Sequence, residues 1–206
     1  MIWKLLTPLF AYLLGNFNAG IIFSRLFFRK DLREHGSKNP GTTNAFRVLG
    51  KASGFLVLFT DALKGAAAIF LTKWLLPDEE LWLAVVGFCV TLGHIFPVFF
   101  KFRGGKGVAT TAGVTVASQP KVLVALLGQF FVILFGTRYM SLASIISAAL
   151  LPLVSLAFHH WQFTPLVWMG LAQGIVIIAM HHTNIKRLLR HEENQLFNKK
   201  SRREAL

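Results

Sequence analysis

Three polar segments of this apolar chain carry residues whose types and spacing suit the binding of anions. The first covers residues 36–47, where glycine, proline, hydroxyl and amide residues precede Arg47. Glycines let backbone N–H groups approach an anion closely, and an arginine can hold a phosphate through two hydrogen bonds. An ordinary polar loop with a helix cap has the same composition. The segment is therefore a candidate anion site, but its composition alone does not distinguish the two interpretations.

The second segment is Gly104-Gly105-Lys106-Gly107, which comes directly before a predicted helix. A glycine-rich turn that leads into a helix amino terminus favours anions, because unpaired N–H groups and the helix dipole point towards them. Lys106 adds a point charge. A tight turn whose lysine reaches towards water is the simpler alternative. The chain contains no G-x-x-x-x-G-K-[ST] sequence, so a Walker-type nucleotide loop is excluded.

The third segment begins at His181, where the last apolar stretch meets a basic one. His181 and Asn184 are three residues apart, so on a helix they share a face. Both side chains can donate a hydrogen bond to an oxyanion or to a glycerol hydroxyl. The alternative is an interfacial helix end, where histidine, lysine and arginine complement the helix dipole.

The composition indicates that a membrane surrounds these segments. Hydrophobic residues make up 54% of the chain and charged residues 15%, compared with about 25% charged in an average soluble domain. The net charge of +13 would suit nucleic acid, but the charges cluster at the ends of apolar stretches, as membrane anchors do. We therefore expect no nucleic-acid partner. We also expect no metal site, because the histidine pairs at 159–160 and 181–182 lack a convincing third ligand.

Seven apolar stretches are candidate membrane spans: 4–28, 53–76, 81–100, 107–119, 121–136, 141–158 and 163–181. A full span needs about 20 residues, so 107–119 and 121–136 fit tilted or partial spans. The first stretch extends well beyond the core of a signal peptide and is interpreted as a retained span. The sequence thus predicts one all-α membrane domain over 1–206, a polytopic bundle of seven transmembrane helices with a basic tail from about 182.

Lysine and arginine are unevenly distributed between these stretches. Residues 29–52, residues 101–106 and the tail are basic, whereas the connection at 77–80 is acidic. Cytoplasmic connections carry an excess of lysine and arginine. Seven spans with the amino terminus outside bring all three basic segments, and the carboxyl terminus, to the cytoplasm. Six spans would break this agreement.

Several polar residues lie inside the apolar stretches. Asp61 and Lys64 are three residues apart and share a helix face, where Lys64 could serve the site or the two could form a pair that holds helices together. His94 is interpreted as a buried, hydrogen-bonded histidine. Ser141 opens the sixth span, where helix capping is the simplest interpretation.

Five ordered motifs make the chain resemble the bacterial acyl-phosphate:glycerol-3-phosphate acyltransferase family, called PlsY. They are G36-S37-x-N39-P40-G41-x-T43-N44-x-x-R47; D61-x-L63-K64-G65; G93-H94-x-F96-P97-x-F99; G104-G105-K106-G107-V108-A109-T110; and H181-x-x-N184-I185-x-R187-L188 with Glu193 downstream. The motifs extend over most of the chain. One such motif would be weak, whereas five in order are specific.

The resemblance implies a seven-helix enzyme of the bacterial inner membrane with a cytoplasmic site. It would transfer a fatty acyl group from acyl phosphate to the 1-hydroxyl of glycerol 3-phosphate, giving lysophosphatidic acid and inorganic phosphate. It further implies a monomer among membrane lipids, no cofactor, and a functional link to a soluble enzyme that makes acyl phosphate. The positions that match substrate-site residues are Ser37, Arg47, Lys106, His181 and Asn184. We assign phosphate or substrate binding to Gly41, Thr43, Asn44, Gly104, Gly105, Gly107, Lys64 and Ser141.

The chain departs from the family pattern at four places. Lys38 replaces a small residue, Thr42 an alanine, and His191 a glycine, while Gly15-Asn16-Phe17-Asn18 stands where a Gly-Ser-x-Pro turn is usual. The first two changes concern substrate affinity. The other two concern local backbone geometry.

Other functional classes explain less of the sequence. A transporter of phosphorylated metabolites would also be polytopic and basic, but it should contain internal repeats, and none is convincing here. Acyl-CoA-type acyltransferases carry an H-x-x-x-x-D motif, and no histidine of this chain has an aspartate five positions on. A scaffold that binds anionic lipid would not account for the three glycine-rich or donor-rich segments.

Overall fold

A computed structural model of the chain describes residues 2–196. The basic tail positions beyond 196 lie outside this range. The described residues form helices without any strand, which confirms the all-α prediction. The helices are α1 Ile2–Gly15, α2 Ala19–Phe28, α3 Thr42–Val48, α4 Lys51–Leu75, α5 Glu80–Ile95, α6 Val108–Ser118, α7 Pro120–Thr137, α8 Met140–Phe158, α9 Pro165–Met180 and α10 His182–Leu189, with a 3₁₀ turn at Val98–Phe100.

Five segments of the described chain are long and apolar enough to cross a membrane: Ile2–Phe28, Lys51–Leu75, Glu80–Phe100, Pro120–Thr137 and Met140–Phe158. Each matches a predicted span. Helices α9 and α10 reach a sixth only if they count as one span, since the chain bends by 58° between them. Helix α6 has 11 residues, or about 16 Å at 1.5 Å per residue, and is too short to cross alone. The count of seven stays a prediction.

The first span is broken at residues 16–18, where the sequence departs from the family pattern. The Asn18 side chain caps α2 by accepting a hydrogen bond from the Ile21 N–H at 3.3 Å. The Asn16 amide donates to the Tyr12 carbonyl at 2.6 Å and closes the end of α1. Each of the two asparagine side chains thus bonds one backbone group at the helix break.

Glycines let α1 cross α5, and α4 cross α6, at very short range. A Cβ atom on Gly15 would lie 2.3 Å from the Val90 carbonyl oxygen, and one on Gly113 only 1.8 Å from the Ala62 carbonyl oxygen. No side chain fits at either crossing. The close α4–α6 contact holds the short helix α6 inside the bundle, and the start of α6 is where the Lys106 loop arrives.

A buried charged cluster joins α4, α5 and the break in the first span. The Lys64 ammonium donates to Asp61 Oδ1 at 2.8 Å and lies 2.9 Å from His94 Nδ1. It also donates to the carbonyls of Gly15 at 3.1 Å and Phe17 at 2.7 Å. Lys64 is 4% exposed and Asp61 1%. The structure shows the Asp61–Lys64 pair that the sequence left as one of two alternatives, and it confirms the buried, hydrogen-bonded role of His94.

Removal of the carboxylate from this cluster is expected to destabilise the fold strongly. In Asp61→Ala the buried ammonium loses its counter-ion, which should lower the free energy of unfolding by about 3–5 kcal/mol. Thermal unfolding in detergent micelles measures the change. Lys121→Met, which alters an exposed lysine, is the matched control and should stay within about 0.5 kcal/mol. Equal melting temperatures for the two variants would contradict the prediction.

Candidate active site

The Lys106 loop folds back onto the end of α5. The Gly104 N–H donates to the Ile95 carbonyl and the Gly105 N–H to the His94 carbonyl, both at 3.1 Å. These bonds satisfy carbonyls that the helix end would otherwise leave unpaired. The Gly104 and Gly105 N–H groups, which the sequence predicted to cradle phosphate, are therefore occupied within the protein. Gly107, at φ +88°, starts α6, whose first N–H groups have no partner inside the helix.

Asn44 organises the loop that carries Ser37. Its buried amide donates to the carbonyls of Leu32 at 3.0 Å and His35 at 2.9 Å, and its Oδ1 accepts from the Ser37 N–H at 2.9 Å. The Gly41 N–H donates to Asn39 Oδ1 at 3.0 Å. In this structure Asn44 and the Gly41 N–H shape the loop and are not free to contact a ligand. The Ser37 side chain is exposed, and Thr43 is half-buried at the start of α3.

An ion pair braces this first loop against the loop after α5. Asp31 pairs with Arg33 at 2.8 Å, and the Arg33 guanidinium donates to the Phe100 carbonyl at 3.1 Å. The hydrogen bonds from Arg33 hold the pKa of Asp31 well below its usual range. The brace keeps the Ser37 segment and the Lys106 segment at the same end of the bundle.

The bend between α9 and α10 brings the third segment to this end. The ring of His181 lies at the bend, with Nδ1 2.8 Å from the Ile177 carbonyl. Because a carbonyl only accepts, Nδ1 carries the proton, and Nε2 is left as an acceptor in a neutral ring. Asn184 accepts a hydrogen bond from the Lys106 ammonium through Oδ1. The structure thus joins the second and third predicted segments directly.

Glu193 holds the site residues of α8 and α10 together. Its carboxylate accepts from Asn184 Nδ2 at 2.7 Å, from Arg187 Nε at 2.6 Å and from Ser141 Oγ at 2.9 Å. Its side chain is 8% exposed. Tyr139 is the cap residue of α8, and Ser141 is the second residue of the helix, with its hydroxyl donated to Glu193, so the capping interpretation is wrong. Sequence reasoning noted Glu193 only as part of a motif and assigned no role to Arg187.

Within the part of the chain that the structure describes, the cations of the site outnumber the Glu193 carboxylate. Burial lowers the pKa of Lys106 to about 8, with Arg187 adding to this effect and Glu193 opposing it. Burial also lowers the pKa of Arg47, and the charges of Glu193 and Arg187 act on this residue too. Lys106 and Arg47 therefore share one electrostatic environment, in which Glu193 offsets only part of the positive charge. An anion would be stabilised there.

Two predicted residues have other partners in this structure. The Lys64 ammonium donates its three N–H groups to Asp61 and to two backbone carbonyls inside the bundle and also lies 2.9 Å from His94 Nδ1. It is therefore held beneath the site and is not presented to a ligand. Ser141 donates to Glu193.

The hydroxyls of Thr42 and Thr110, in the first turns of α3 and α6, are buried and have no hydrogen-bond partner among the described residues. The sequence feature that could have identified these two threonines as candidate site residues is their position at a helix start, shortly after a glycine-rich loop.

Comparison with known proteins identifies the family of this chain. A family model described as glycerol-3-phosphate acyltransferase matches residues 5–191. The glycerol-3-phosphate acyltransferase of Staphylococcus carnosus is 40% identical over 195 residues, covering 91% of this chain and 95% of that protein. The enzyme of the same name from Staphylococcus aureus strain Newman has the same identity and coverage.

Two crystal structures of PlsY (YgiH), described as an integral membrane glycerol 3-phosphate acyltransferase, share the fold. The glycerol 3-phosphate form superposes with a TM-score of 0.88 at 38% identity, covering 93% of this chain and 94% of that one. The lysophosphatidic acid form superposes with a TM-score of 0.85 at 35% identity, covering 97% of each chain. With relatives of this identity matched over nearly the whole length, the chain belongs to the glycerol-3-phosphate acyltransferase family of integral membrane proteins.

Proposed function

We propose that this protein transfers a fatty acyl group from acyl phosphate to the 1-hydroxyl of glycerol 3-phosphate, as an early step of phospholipid synthesis. The products are lysophosphatidic acid and inorganic phosphate. The main support for this proposal is electrostatic: Arg187 pairs with the Glu193 carboxylate, and the charges of both residues act on Arg47 and Lys106, which come from two other segments. Such an excess of positive charge suits a reaction in which both substrates bring a phosphate.

The proposed reaction exchanges one acyl C–O bond for another. The glycerol hydroxyl attacks the acyl carbonyl carbon, an ester C–O bond forms, and the C–O bond to phosphate breaks. The departing phosphate takes the hydroxyl proton. Acyl phosphate is a mixed anhydride with a good leaving group, so the protein needs to align the two substrates and to stabilise charge. Alignment alone can be worth about 7–11 kcal/mol.

We assign the phosphates to Arg47 and Lys106, and the glycerol to Ser37, His181 and Asn184. Support for the glycerol assignment comes from His181, whose Nδ1 is engaged with a carbonyl and whose Nε2 can accept a hydrogen bond from the nucleophilic hydroxyl. Thr43 and Gly107 would add donors at the first turns of α3 and α6. Gly41, Asn44, Gly104, Gly105 and Ser141 would act by holding these segments in place.

The proposed topology is one membrane domain of seven spans in a bacterial cell. Its amino terminus lies outside, and its site lies on the cytoplasmic side of the membrane. Lys4 pairs with Glu79 at 2.6 Å, which supports a common face for the amino terminus and the acidic connection. The other end of the first span leads into the loop that carries Ser37 and Arg47. We further propose a monomer of the inner membrane that works with a soluble enzyme supplying acyl phosphate.

The donor is the first property to test. Purified protein should form lysophosphatidic acid and inorganic phosphate in equal amounts from palmitoyl phosphate and glycerol 3-phosphate. Palmitoyl-CoA should not replace the donor. Phosphate release and product formation are followed together, in detergent. Turnover with palmitoyl-CoA alone would overturn the proposed donor, while the family membership would stand.

Loss of either phosphate-binding cation should disable catalysis. Arg47→Ala and Lys106→Ala are each expected to lower kcat/KM at least about 100-fold, the usual effect of removing one group that stabilises transition-state charge. Arg190→Ala, which removes an exposed arginine just after α10, is the matched control and should retain activity. Folding is checked by thermal unfolding. Full activity in a folded Arg47→Ala or Lys106→Ala protein would refute the assignment.

Binding of glycerol 3-phosphate should weaken in alkali. The pKa of Lys106 is lowered to about 8, and only its protonated form attracts phosphate, so the dissociation constant should rise as pH increases through this value, by up to about tenfold per unit. The ligand phosphate, with a second pKa of about 6, stays dianionic over this range. Calorimetry measures the dissociation constant. Lys106→Arg keeps its charge, and its binding should depend less on pH; an identical dependence would contradict the role of Lys106.

A further inference from the structure

The Gly105 backbone packs directly against the ring of His94. A Cβ atom added to Gly105 would lie 2.1 Å from His94 Nε2 and 2.8 Å from Cε1, so the backbone and the ring are already in tight contact. The His94 carbonyl also accepts the Gly105 N–H at 3.1 Å. Lys106 is the next residue. The position of the Lys106 backbone relative to α5 therefore depends on the position of the His94 side chain.

Lys64 and Asp61 fix that ring from the other side. His94 Nδ1 lies 2.9 Å from the Lys64 ammonium and 3.5 Å from Asp61 Oδ1. Lys64 is itself anchored to the carbonyls of Gly15 and Phe17. The ring cannot turn away from Gly105 without giving up its bond to a buried charge, which is costly where no water can replace it.

We propose that Asp61, Lys64 and His94 are positioning residues. They hold the Gly104–Lys106 loop in the position in which the Lys106 ammonium contacts the substrate phosphate. They act through the backbone of Gly105 and do not contact the substrate. This inference rests on the proposed assignment of Lys106 to a phosphate. It assigns to an intramembrane charge cluster a role in substrate affinity in addition to its role in stability.

Paired substitutions separate this role from a merely stabilising one. Gly105→Ala adds a methyl group against a ring that cannot yield, so the loop must move. The dissociation constant and the KM for glycerol 3-phosphate should rise at least about tenfold, with a smaller change in kcat. His94→Asn keeps an acceptor near the Nδ1 position but removes the outer ring atoms. In the double variant most of the loss caused by Gly105→Ala should disappear.

Gly104→Ala provides the matched control. A Cβ atom on Gly104 would lie 2.0 Å from the His94 carbonyl oxygen and 2.6 Å from Pro97 Cδ, so its clash does not involve the ring. His94→Asn should not rescue Gly104→Ala. If both alanine variants are rescued, His94→Asn merely loosens the loop, and the proposal is overturned. It is also overturned if neither variant is rescued.

Hydrogen exchange of the loop amides gives a readout that does not depend on the substrate. Protection at residues 104–106 should fall in Gly105→Ala and recover in the double variant, whatever the acyl donor proves to be. His94→Ser repeats the comparison if His94→Asn does not fold. Failure of the acyl-phosphate assay with normal recovery of protection would count against the proposed function alone. Loss of protection without recovery would count against the positioning role.

Discussion

A charged ammonium within the apolar part of the bundle must have bonding partners, because no water is available to solvate it. Lys64 meets this requirement with a carboxylate, an imidazole and two carbonyls exposed by the break in the first span. The requirement ties α4 to α5 and to the α1–α2 junction. Since the Ser37 loop follows α2 and the Lys106 loop follows α5, the same constraint supports both loops.

The site above this cluster is built on incomplete charge neutralisation. Glu193 gathers Arg187, Asn184 and Ser141, and Asn184 in turn holds Lys106. Among the described residues, the Glu193 carboxylate does not by itself balance Arg47, Lys106 and Arg187, and partial burial makes the imbalance more costly than it would be in water. Under the proposed assignment, a bound phosphate would relieve this cost, and the charges that favour it are arranged before the substrate binds.

Close helix crossings determine where the site lies. Gly113 and Gly65 let α6 approach α4 until backbone atoms touch, and α6 can be short because it is enclosed by its neighbours. Its amino terminus directly follows the loop of Lys106, whose ammonium reaches Asn184. A longer α6, or one held at an ordinary helix separation, would place this helix end elsewhere.

The amino-acid sequence by itself determined the helical membrane character, the positions of five spans and the family, because composition, stretch length and ordered motifs are local properties. It also indicated that Asp61 could pair with Lys64, since a spacing of three residues on one helix brings side chains together, although it left a role of Lys64 at the site open. Sequence further identified the three segments that meet at the site. It did not establish the number of spans, because α6 and the bent α9–α10 pair differ in shape from the other spans.

Only the tertiary structure decided which partner each polar group takes. Lys106 meets Asn184 from 78 residues away, and Ser141 meets Glu193 from 52 residues away, so no local spacing encodes these bonds. For the same reason, the sequence was compatible with Lys64 at a phosphate, whereas the structure places it inside the bundle. The sequence was likewise compatible with free N–H groups at Gly104 and Gly105, whereas in the structure they close the end of α5. The sequence specifies which hydrogen-bond donors and acceptors are present, whereas the packing of the helices determines which of them pair.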